Sequence, residues 1–429
     1  MEAYNIFWFR RDLRLYDNHG LSEASNKELK VIPIFIFDTN ITDNLPSDDR
    51  RINFIYENVS RLNIELNKKY NSSMNVFMGN PIEIFKEIIA KHKIINVYTN
   101  HDYEPYAIKR DLELAKILKQ NNINFLSFKD QVIFEKNEVV KDNGEPYVVY
   151  TPYMRKWKSK LTENLSELNE KKVSNNFSKN SISKLSDMSD YGFKKNHSKI
   201  ESFILNKDIV NFYSERRNYP ALNSTSKIGP FLRFGIVSIR KIITGIIDFK
   251  DDTFLKELIW REFFMQILYH FPKTASHSFK SKYDNIIWLN NKNDFEAWKE
   301  GRTGFPLIDA GMRELNATGF MHNRVRMLTA SFLCKQLLTD WRLGERYFAL
   351  KLNDYEMASN IGNWQWASGS GVDAAPYFRI FNPHTQIERF DKDRKYTRKW
   401  VKSEKNYPNE IIDHKMARQR CLETYKKYI

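Results

Sequence analysis

The chain has 429 residues, 41% of them apolar and 28% charged, which is enough apolar sequence for two domains with sizeable cores and too much for a disordered chain. Its two cysteines, Cys334 and Cys421, exclude a disulfide framework and a thiolate metal site. The N-terminus, MEAYNIFWFRRDLR, is charged too early for a secretory signal, and no apolar run approaches membrane-spanning length, so we expect a cytoplasmic protein.

The formal net charge is +15 at pH 7, which favours a polyanionic partner, and nucleic acid is the first candidate. A general enrichment in lysine would give the same excess, and charge alone leaves both explanations open. Aromatic residues make up 14% of the chain, and such side chains build cores but also stack on flat heterocycles.

The first part of the chain alternates β-rich runs with helical patterns. This alternation predicts an α/β domain with a Rossmann-like parallel sheet. No G-x-G-x-x-G motif follows a strand, so a dinucleotide bound in the usual way is not expected there. The predicted strands are residues 4–9, 31–37, 75–79, 94–100 and 123–128, and the predicted helices include residues 50–70 and 83–93.

The composition turns polar over residues 171–201, where Ser, Asn and Lys dominate and periodicity is lost. After residue 203 the chain consists of long, aromatic-rich helical patterns, and no strand is predicted. We therefore predict three parts, namely an α/β domain (1–130), an interdomain linker (131–203) and an all-α domain (204–429).

Residues 223–230, NSTSKIGP, place hydroxyls and a lysine before a predicted helix at residues 231–243. Backbone N–H groups and hydroxyls at a helix N-terminus bind phosphate, but the same residues also serve as an ordinary N-cap. The motif alone leaves both functions open.

Residues 254–271 form a predicted helix that is apolar nearly all round and therefore buried. Glu257 and Trp260 share one face of it. A buried carboxylate needs a partner, either an arginine or the N–H groups of a ligand, and spacing alone favours the ion pair.

A second helix of this kind is predicted at residues 321–338. Asn323, Arg326 and Met327 lie on one stripe of it. Methionine there is most often core filler, but the same stripe beside Glu257 and Trp260 would form a pocket for a flat heterocycle.

Asp354, Glu356 and Asn360 lie within seven positions and need a polar ligand or an arginine, for which Arg326 is a candidate. Just after them comes NWQW. In a strand Trp364 and Trp366 would share a face, whereas in a helix they would point about 200° apart into different environments.

No Ser/His/Asp or Cys/His arrangement is evident, and histidine is too sparse to predict a metal site. If the protein is an enzyme, we expect a cofactor to supply its chemistry.

Six motifs occur in one order along the chain, and together they resemble the photolyase/cryptochrome flavoprotein family, in particular the microbial cyclobutane pyrimidine dimer photolyases. The resemblance covers everything except the linker. The motifs are FWFRRDLRLYDNHGL, ELIWREFF, TGFPLIDAGMREL, HNRVRMLTASFL, DWRLGERYF and NWQWASGSGVDAAPYFRIFNP.

The resemblance implies an antenna domain followed by a helical domain that binds FAD in a U-shaped conformation. Asp354 would pair with Arg326 beside the isoalloxazine, and Asn360 would face flavin N5. The residues implied in FAD binding are Tyr213, Thr225, Ser226, Lys227, Ile228, Gly229, Glu257, Arg261, Arg326, Asp354, Glu356 and Asn360.

The resemblance also implies that photoexcited FADH⁻ donates an electron to a flipped-out dimer in damaged DNA, whose ring splits before the electron returns. The lesion pocket would comprise Glu257, Trp260, Asn323, Arg324, Met327 and Trp366. The DNA backbone would contact Arg217, Arg324 and Arg379, and Trp288, Trp341 and Trp364 would pass electrons to the flavin. We expect a helical NWQW segment, with Trp364 facing the flavin and Trp366 the lesion. A monomer that associates with the nucleoid is expected.

Some residues depart from the family pattern. Glu356 stands where aspartate is usual, Gly229 where serine is common, and Asn363 where glycine is usual. Tyr106 and Ala107 replace the Asn-Glu pair of folate-binding members, so the second chromophore is a deazaflavin, another flavin, a folate or absent, with folate least expected.

Two rival functions stay open on sequence alone. One is a blue-light receptor without repair activity. Signalling members commonly carry a C-terminal extension, whereas this sequence ends at LETYKKYI, soon after the last motif, which we take as an argument against a receptor. The other is a helical DNA-binding protein without a cofactor, which would leave Glu257, Asp354 and Asn360 without a purpose.

Overall fold

A computed structural model describes residues 2–179, 184–402 and 407–429. Its one parallel sheet has the strand order β3-β2-β1-β4-β5. Every predicted strand is present to within one residue at either end, which confirms the α/β class. The strands are β1 Ala3–Phe9, β2 Val31–Asp38, β3 Asn75–Gly79, β4 Lys93–Asn100 and β5 Asn124–Phe128.

Helices make up the rest of the regular structure, and after residue 203 the described residues contain no strand, as predicted. None of the described helices combines the length and apolarity needed to cross a membrane. The α-helices are α1 His19–Ser25, α2 Thr39–Thr42, α3 Arg50–Tyr70, α4 Pro81–Lys91, α5 Pro105–Gln120, α6 Tyr150–Glu163, α7 Lys207–Asn211, α8 Tyr213–Arg216, α9 Gly229–Arg233, α10 Ile239–Ile246, α11 Thr253–His270, α12 Lys292–Glu300, α13 Pro306–Thr318, α14 Asn323–Ser331, α15 Trp341–Lys351, α16 Met357–Ser368, α17 Pro383–Phe390, α18 Lys395–Trp400 and α19 His414–Tyr428.

The chain forms two compact units, each discontinuous in sequence. The first unit consists of Met1–Glu138, Lys158–Glu201 and Ile228–Asp248, and the second of Val139–Trp157, Ser202–Lys227 and Phe249–Ile429. The sequence-based ranges 1–130, 131–203 and 204–429 are continuous and stay a prediction. Residues 180–183 of the predicted linker lie outside the described residues.

Alternation along β1 builds two cores in the first unit. Phe7 and Phe9 pack into one apolar cluster, and Ile6 and Trp8 into another. Because successive side chains of a strand point to opposite faces, β1 is buried on both sides, as a central parallel strand should be. Its carboxyl end is thereby fixed at the edge of the sheet where ligands of such folds bind.

The helix predicted over residues 83–93 is observed two residues earlier as α4, and two other predicted helices are interrupted in the structure. The helix expected over residues 231–243 is broken into α9 and α10, because Gly235 adopts a φ of +61° and a Cβ there would lie 2.2 Å from the carbonyl oxygen of Arg11. The helix expected over residues 321–338 begins at Asn323 and becomes a π-helix over Phe332–Gln336. Both predictions were wrong at these points because periodicity does not report backbone breaks.

Candidate functional site

The helical unit is organised around α16, against which α11, α14 and α15 all pack. Glu356 begins α16 by accepting a hydrogen bond from the backbone N–H of Ser359 at 3.0 Å, and Gly369, with a φ of +93°, ends it. The NWQW segment lies inside this helix, as predicted. Trp364 is 2% exposed, whereas Trp366 is only partly buried, so the two indoles occupy different environments.

Arg326 and Asp354 form the ion pair that the sequence suggested. Arg326 Nη2 lies 3.0 Å from Asp354 Oδ2, and its Nε donates to the carbonyl oxygen of Met321 at 2.7 Å. The other carboxylate oxygen of Asp354, Oδ1, is buried and accepts no hydrogen bond from any described residue. A buried acceptor without a donor is costly, so this oxygen is suited to an N–H group of a ligand.

Asn360 is buried one turn into α16, where its amide donates to Glu345 Oε1 at 2.9 Å and to the backbone oxygen of Glu345 at 3.2 Å. Burial raises the pKa of the Glu345 carboxyl, and the Asn360 hydrogen bond opposes that rise. The amide is therefore held in a fixed position. Glu356, in contrast, uses its carboxylate as the cap of its own helix.

The predicted phosphate loop ends the segment Ser202–Lys227 of the second unit, while Ile228 and Gly229 belong to the first. Ile228 occupies the N-cap position of α9, and its side chain makes no capping hydrogen bond. Lys227 adopts a φ of +53°, and its Nζ lies 5.6 Å from the ring centre of Phe320.

Ser226 is buried and Thr225 is partly buried in this loop. The backbone oxygen of Ser226 accepts a hydrogen bond from the N–H of Ile204 at 2.9 Å. Tyr213, at the start of α8, packs edge-on against Phe254, and burial followed by the nearby Glu257 raises the pKa of Tyr213 to about 12. Tyr213 therefore presents a neutral hydroxyl at ordinary pH.

Glu257 has the arginine partner that spacing favoured. Arg217 Nη1 lies 2.5 Å from Glu257 Oε1, and both side chains are partly exposed. Trp260, on the same helix, stacks on Tyr150 with ring centres 3.7 Å apart and planes within 9°. Tyr150 was missed from the sequence because it lies more than a hundred positions away and in the region predicted to be a linker.

Asn323 and Met327 meet on the first turns of α14, with Asn323 Nδ2 3.9 Å from the sulfur of Met327. Asn323 is exposed and Met327 partly buried. Arg261, beside Trp260 on α11, is also partly buried. An amide and a thioether at this spacing can contact a polar edge and an apolar face of one ligand.

Arginine side chains gather near the N-terminus of α14. Arg324 donates to Asn218 Oδ1 and lies 4.3 Å over the ring of Phe390. Burial, together with repulsion from Arg217, Arg389 and Arg379, lowers the pKa of Arg324.

Within the described residues no carboxylate pairs with Arg324, Arg379 or Arg389. Such uncompensated guanidinium groups attract phosphates. Arg389 and Phe378, which is 60% exposed beside Arg379, were missed from the sequence. No motif or spacing along the chain pointed to Arg389, which lies 5.1 Å over the ring of Phe390 in the structure.

The three predicted electron-transfer tryptophans share one apolar cluster. Trp341 and Trp364 are buried in it, and Trp288 packs against it. The ring centre of Trp364 lies 6.1 Å from that of Trp298, a residue that was not among the predicted electron-transfer tryptophans. Gly344 makes room for this arrangement, because a Cβ there would lie 2.2 Å from the Trp364 ring.

In the first unit, the residues that replace the folate-type Asn-Glu pair lie at the carboxyl edge of the sheet. The hydroxyl of Tyr106 donates to Asp38 Oδ2 at 2.6 Å, and Ala107 is buried. The guanidinium of Arg110 lies 4.7 Å over the ring of Trp8. No cluster of metal-ligating side chains occurs in the described parts of either unit.

Residues 5–171 match the family model for DNA photolyase, and residues 254–404 match the FAD binding domain of DNA photolyase. A deoxyribodipyrimidine photo-lyase of Buchnera aphidicola is 35% identical over 97% of this chain and 91% of its own.

Two solved structures are similar over nearly the whole chain. An archaeal photolyase from Sulfolobus tokodaii, solved with two FAD molecules, is 35% identical with a TM-score of 0.86 and full coverage of both chains. A bacterial class III photolyase from Agrobacterium tumefaciens is 30% identical with a TM-score of 0.88, over 100% of this chain and 98% of its own. The chain thus belongs to the photolyase/cryptochrome family of flavoproteins, and FAD is its cofactor.

Proposed function

We propose that this protein repairs cyclobutane pyrimidine dimers in DNA in a light-dependent reaction. The observation that carries the proposal is a group of arginines without carboxylate partners among the described residues, together with a Trp, an Asn and a Met on α11 and α14, two helices that both pack against α16. The guanidinium groups of Arg324, Arg379 and Arg389 suit the phosphates of DNA. Trp260, and Asn323 with Met327, suit an extruded pair of bases.

The residues present fit FAD. The isoalloxazine ring carries an imide N–H, which is the kind of donor that the buried Oδ1 of Asp354 requires. Thr225, Ser226 and Lys227 offer hydroxyl, backbone and cationic groups to a pyrophosphate. When bound in its reduced form, FAD supplies the light absorption and the electron that splits the cyclobutane ring.

The side chains around such a site bind and orient and do not exchange protons. Asn360 is a neutral amide held by Glu345, so it can contact a flavin without adding a charge. Trp260 is held flat by Tyr150, and a pre-positioned indole stacks on a base at about 1–3 kcal/mol. Met327 presents no ionisable group to the lesion, in keeping with an electron-transfer reaction.

The test is repair of an oligonucleotide that carries one thymine cyclobutane dimer, using chemically reduced protein with a dark control. Repair in the light alone is the expected result. Protein that retains flavin and shows no repair would contradict the proposal and favour the alternative, a blue-light receptor that signals without repair.

A matched pair of variants sharpens the test. Asn323→Ala removes an exposed amide next to Met327, whereas Asn293→Ala removes an exposed amide elsewhere, on α12. We expect the first to lower dimer affinity and the second to leave it unchanged. Equal effects would show that the Asn323 side chain does not contact the lesion.

We further propose that the second chromophore is a flavin bound at the carboxyl edge of the sheet. The support is the Sulfolobus tokodaii relative with two FAD molecules, together with Tyr106 and Ala107 in place of the folate-type pair. Flavin released by denaturation should amount to two molecules per chain. A ratio of one, or a released pterin, would contradict this proposal.

A further inference from the structure

Lys335 is a buried lysine that neither the apolar core nor the proposed repair chemistry requires. It lies in the π-helix Phe332–Gln336, 1% exposed, and burial lowers its pKa to about 8. Among the described residues its Nζ meets one hydrogen-bond acceptor, the backbone oxygen of Arg379, at 3.0 Å. Burying an amine here is more costly than burying an apolar chain of the same length, so the lysine needs a reason.

Gln336, the next residue, makes a parallel contact. Its Nε2 donates to the backbone oxygen of Phe381 at 2.7 Å, while its own backbone oxygen accepts from Arg420 at 2.6 Å. Consecutive side chains therefore hold two carbonyls of one segment. The π-turn, closed by the bond from Leu337 N–H to Phe332 O, is the backbone irregularity that contains both residues.

The segment held in this way is the stretch that carries Arg379. Residues 373–382, here called the Arg379 segment, contain no helix or strand, and Asp373 within it adopts a φ of +44°. Arg379 and Phe378 are both exposed. Tyr377, Ile380 and Phe381 pack this segment onto apolar clusters. Since little regular hydrogen bonding fixes its backbone, the two donors from the π-helix add the polar restraints nearest Arg379.

We propose that Lys335 and Gln336 are positioning residues that hold the Arg379 segment in its DNA-binding conformation. The inference rests on the proposed function, in which Arg379 contacts a phosphate. A segment ordered before binding loses less conformational freedom when DNA arrives, so the anchor raises affinity without touching DNA. A charged donor makes a stronger hydrogen bond to a carbonyl than a neutral one, which explains a lysine at this buried position.

The test compares Lys335→Met and Lys335→Gln in the full FAD-loaded chain. Methionine fills the space but removes the donor, whereas glutamine restores an N–H donor without the charge. We expect Lys335→Met to weaken binding of both damaged and undamaged duplexes about tenfold, with flavin content and repair yield at saturating DNA unchanged. Lys335→Gln should recover part of that loss. Lys351→Met, which removes a lysine on α15, is the control for net charge and should change affinity little.

Hydrogen exchange of the free protein supplies a second measurement that needs no DNA. The N–H of Arg379 is bonded to Pro376 O, and its exchange should accelerate in Lys335→Met. Unchanged exchange and unchanged affinity would overturn the proposal. If Lys335→Met loses its flavin, the test passes to Gln336→Leu, which should weaken DNA binding while the flavin stays bound. Unchanged DNA affinity in Gln336→Leu would also overturn the proposal. If the wild-type protein binds no dimer-containing DNA, while the Arg379 N–H still exchanges faster in Lys335→Met than in wild type, the proposed function is refuted. The positioning of the Arg379 segment by Lys335 is supported in that case.

Discussion

His322 should make the stability of this protein depend on pH in a way that one substitution removes. The side chain is 3% exposed and caps α14 by accepting the N–H of Arg324 at its Nδ1, 3.2 Å away. Burial first, then the positive charges of Arg326, Arg324 and Arg217, lower the pKa of His322 from 6.5 to about 4. The folded protein therefore holds this imidazole neutral at a pH where the unfolded chain protonates it.

The sign and size of the effect follow from that difference. Because the pKa is lower in the folded state, the contribution of His322 is fully present above about pH 6.5 and is lost as the pH falls towards about 4. At about pH 5, protonation of His322 in the unfolded chain lowers the free energy of unfolding by about 2 kcal/mol.

The assay is urea unfolding near neutral pH and near pH 5, followed by circular dichroism, of wild type and His322→Asn. Asparagine keeps an N-cap acceptor but does not titrate. Between neutral pH and about pH 5, we expect the free energy of unfolding of the wild type to fall by about 2 kcal/mol more than that of the variant. The same loss in both proteins would refute the reasoning. His92→Asn, at an exposed histidine, should leave the wild-type dependence intact.

Three further substitutions test the site. Trp366→Ala should weaken binding of dimer-containing DNA by about 1–3 kcal/mol while FAD stays bound, and unchanged affinity would remove Trp366 from the lesion pocket. Trp341→Phe should slow photoreduction of oxidised flavin and spare repair by pre-reduced protein; equal loss of both would argue against an electron-transfer role. Gly344→Ala should destabilise the protein by about 1–3 kcal/mol in urea unfolding, since the new Cβ would lie 2.2 Å from the Trp364 ring. Gly245→Ala, where nothing lies within 4 Å of the added Cβ, is its control and should be neutral or stabilising.

The parts of the fold that sequence predicted best are those in which a local pattern is sufficient. The five strands carry β-rich runs between turn residues, and α3 was bounded correctly because Asp49 caps it and Asn71 ends it in a left-handed conformation. Periodicity failed at Gly235 because the close approach to the Arg11 backbone involves a partner distant in sequence. It failed at Phe332–Gln336 because a π-turn keeps the apolar pattern of a helix while changing its backbone hydrogen bonding.

The same limit applies to the site. The pairing of Arg326 with Asp354 could be anticipated because the polar cluster around Asp354 needed a polar ligand or an arginine, and Arg326 was a candidate. The Tyr150 ring behind Trp260 and the Lys335 contact to the Arg379 backbone could not be anticipated, since Tyr150 and Lys335 lie outside the six motifs and no charge pattern along one element marks either contact. Supporting residues of this kind are recognised only when tertiary contacts are known.

Arg217 and Glu257, two side chains predicted to contact DNA, form an ion pair with each other in the free protein. The resemblance assigns them to different tasks, Arg217 to the DNA backbone and Glu257 to the lesion pocket and FAD, yet they contact each other here. A partly exposed pair contributes only about 0–1 kcal/mol, so separating it costs little when phosphate and base edges become available as partners. In the free protein the arginine compensates a carboxylate that would otherwise repel an approaching phosphate. We therefore expect both side chains to exchange this partner for DNA, and the ion pair to belong to the free protein alone.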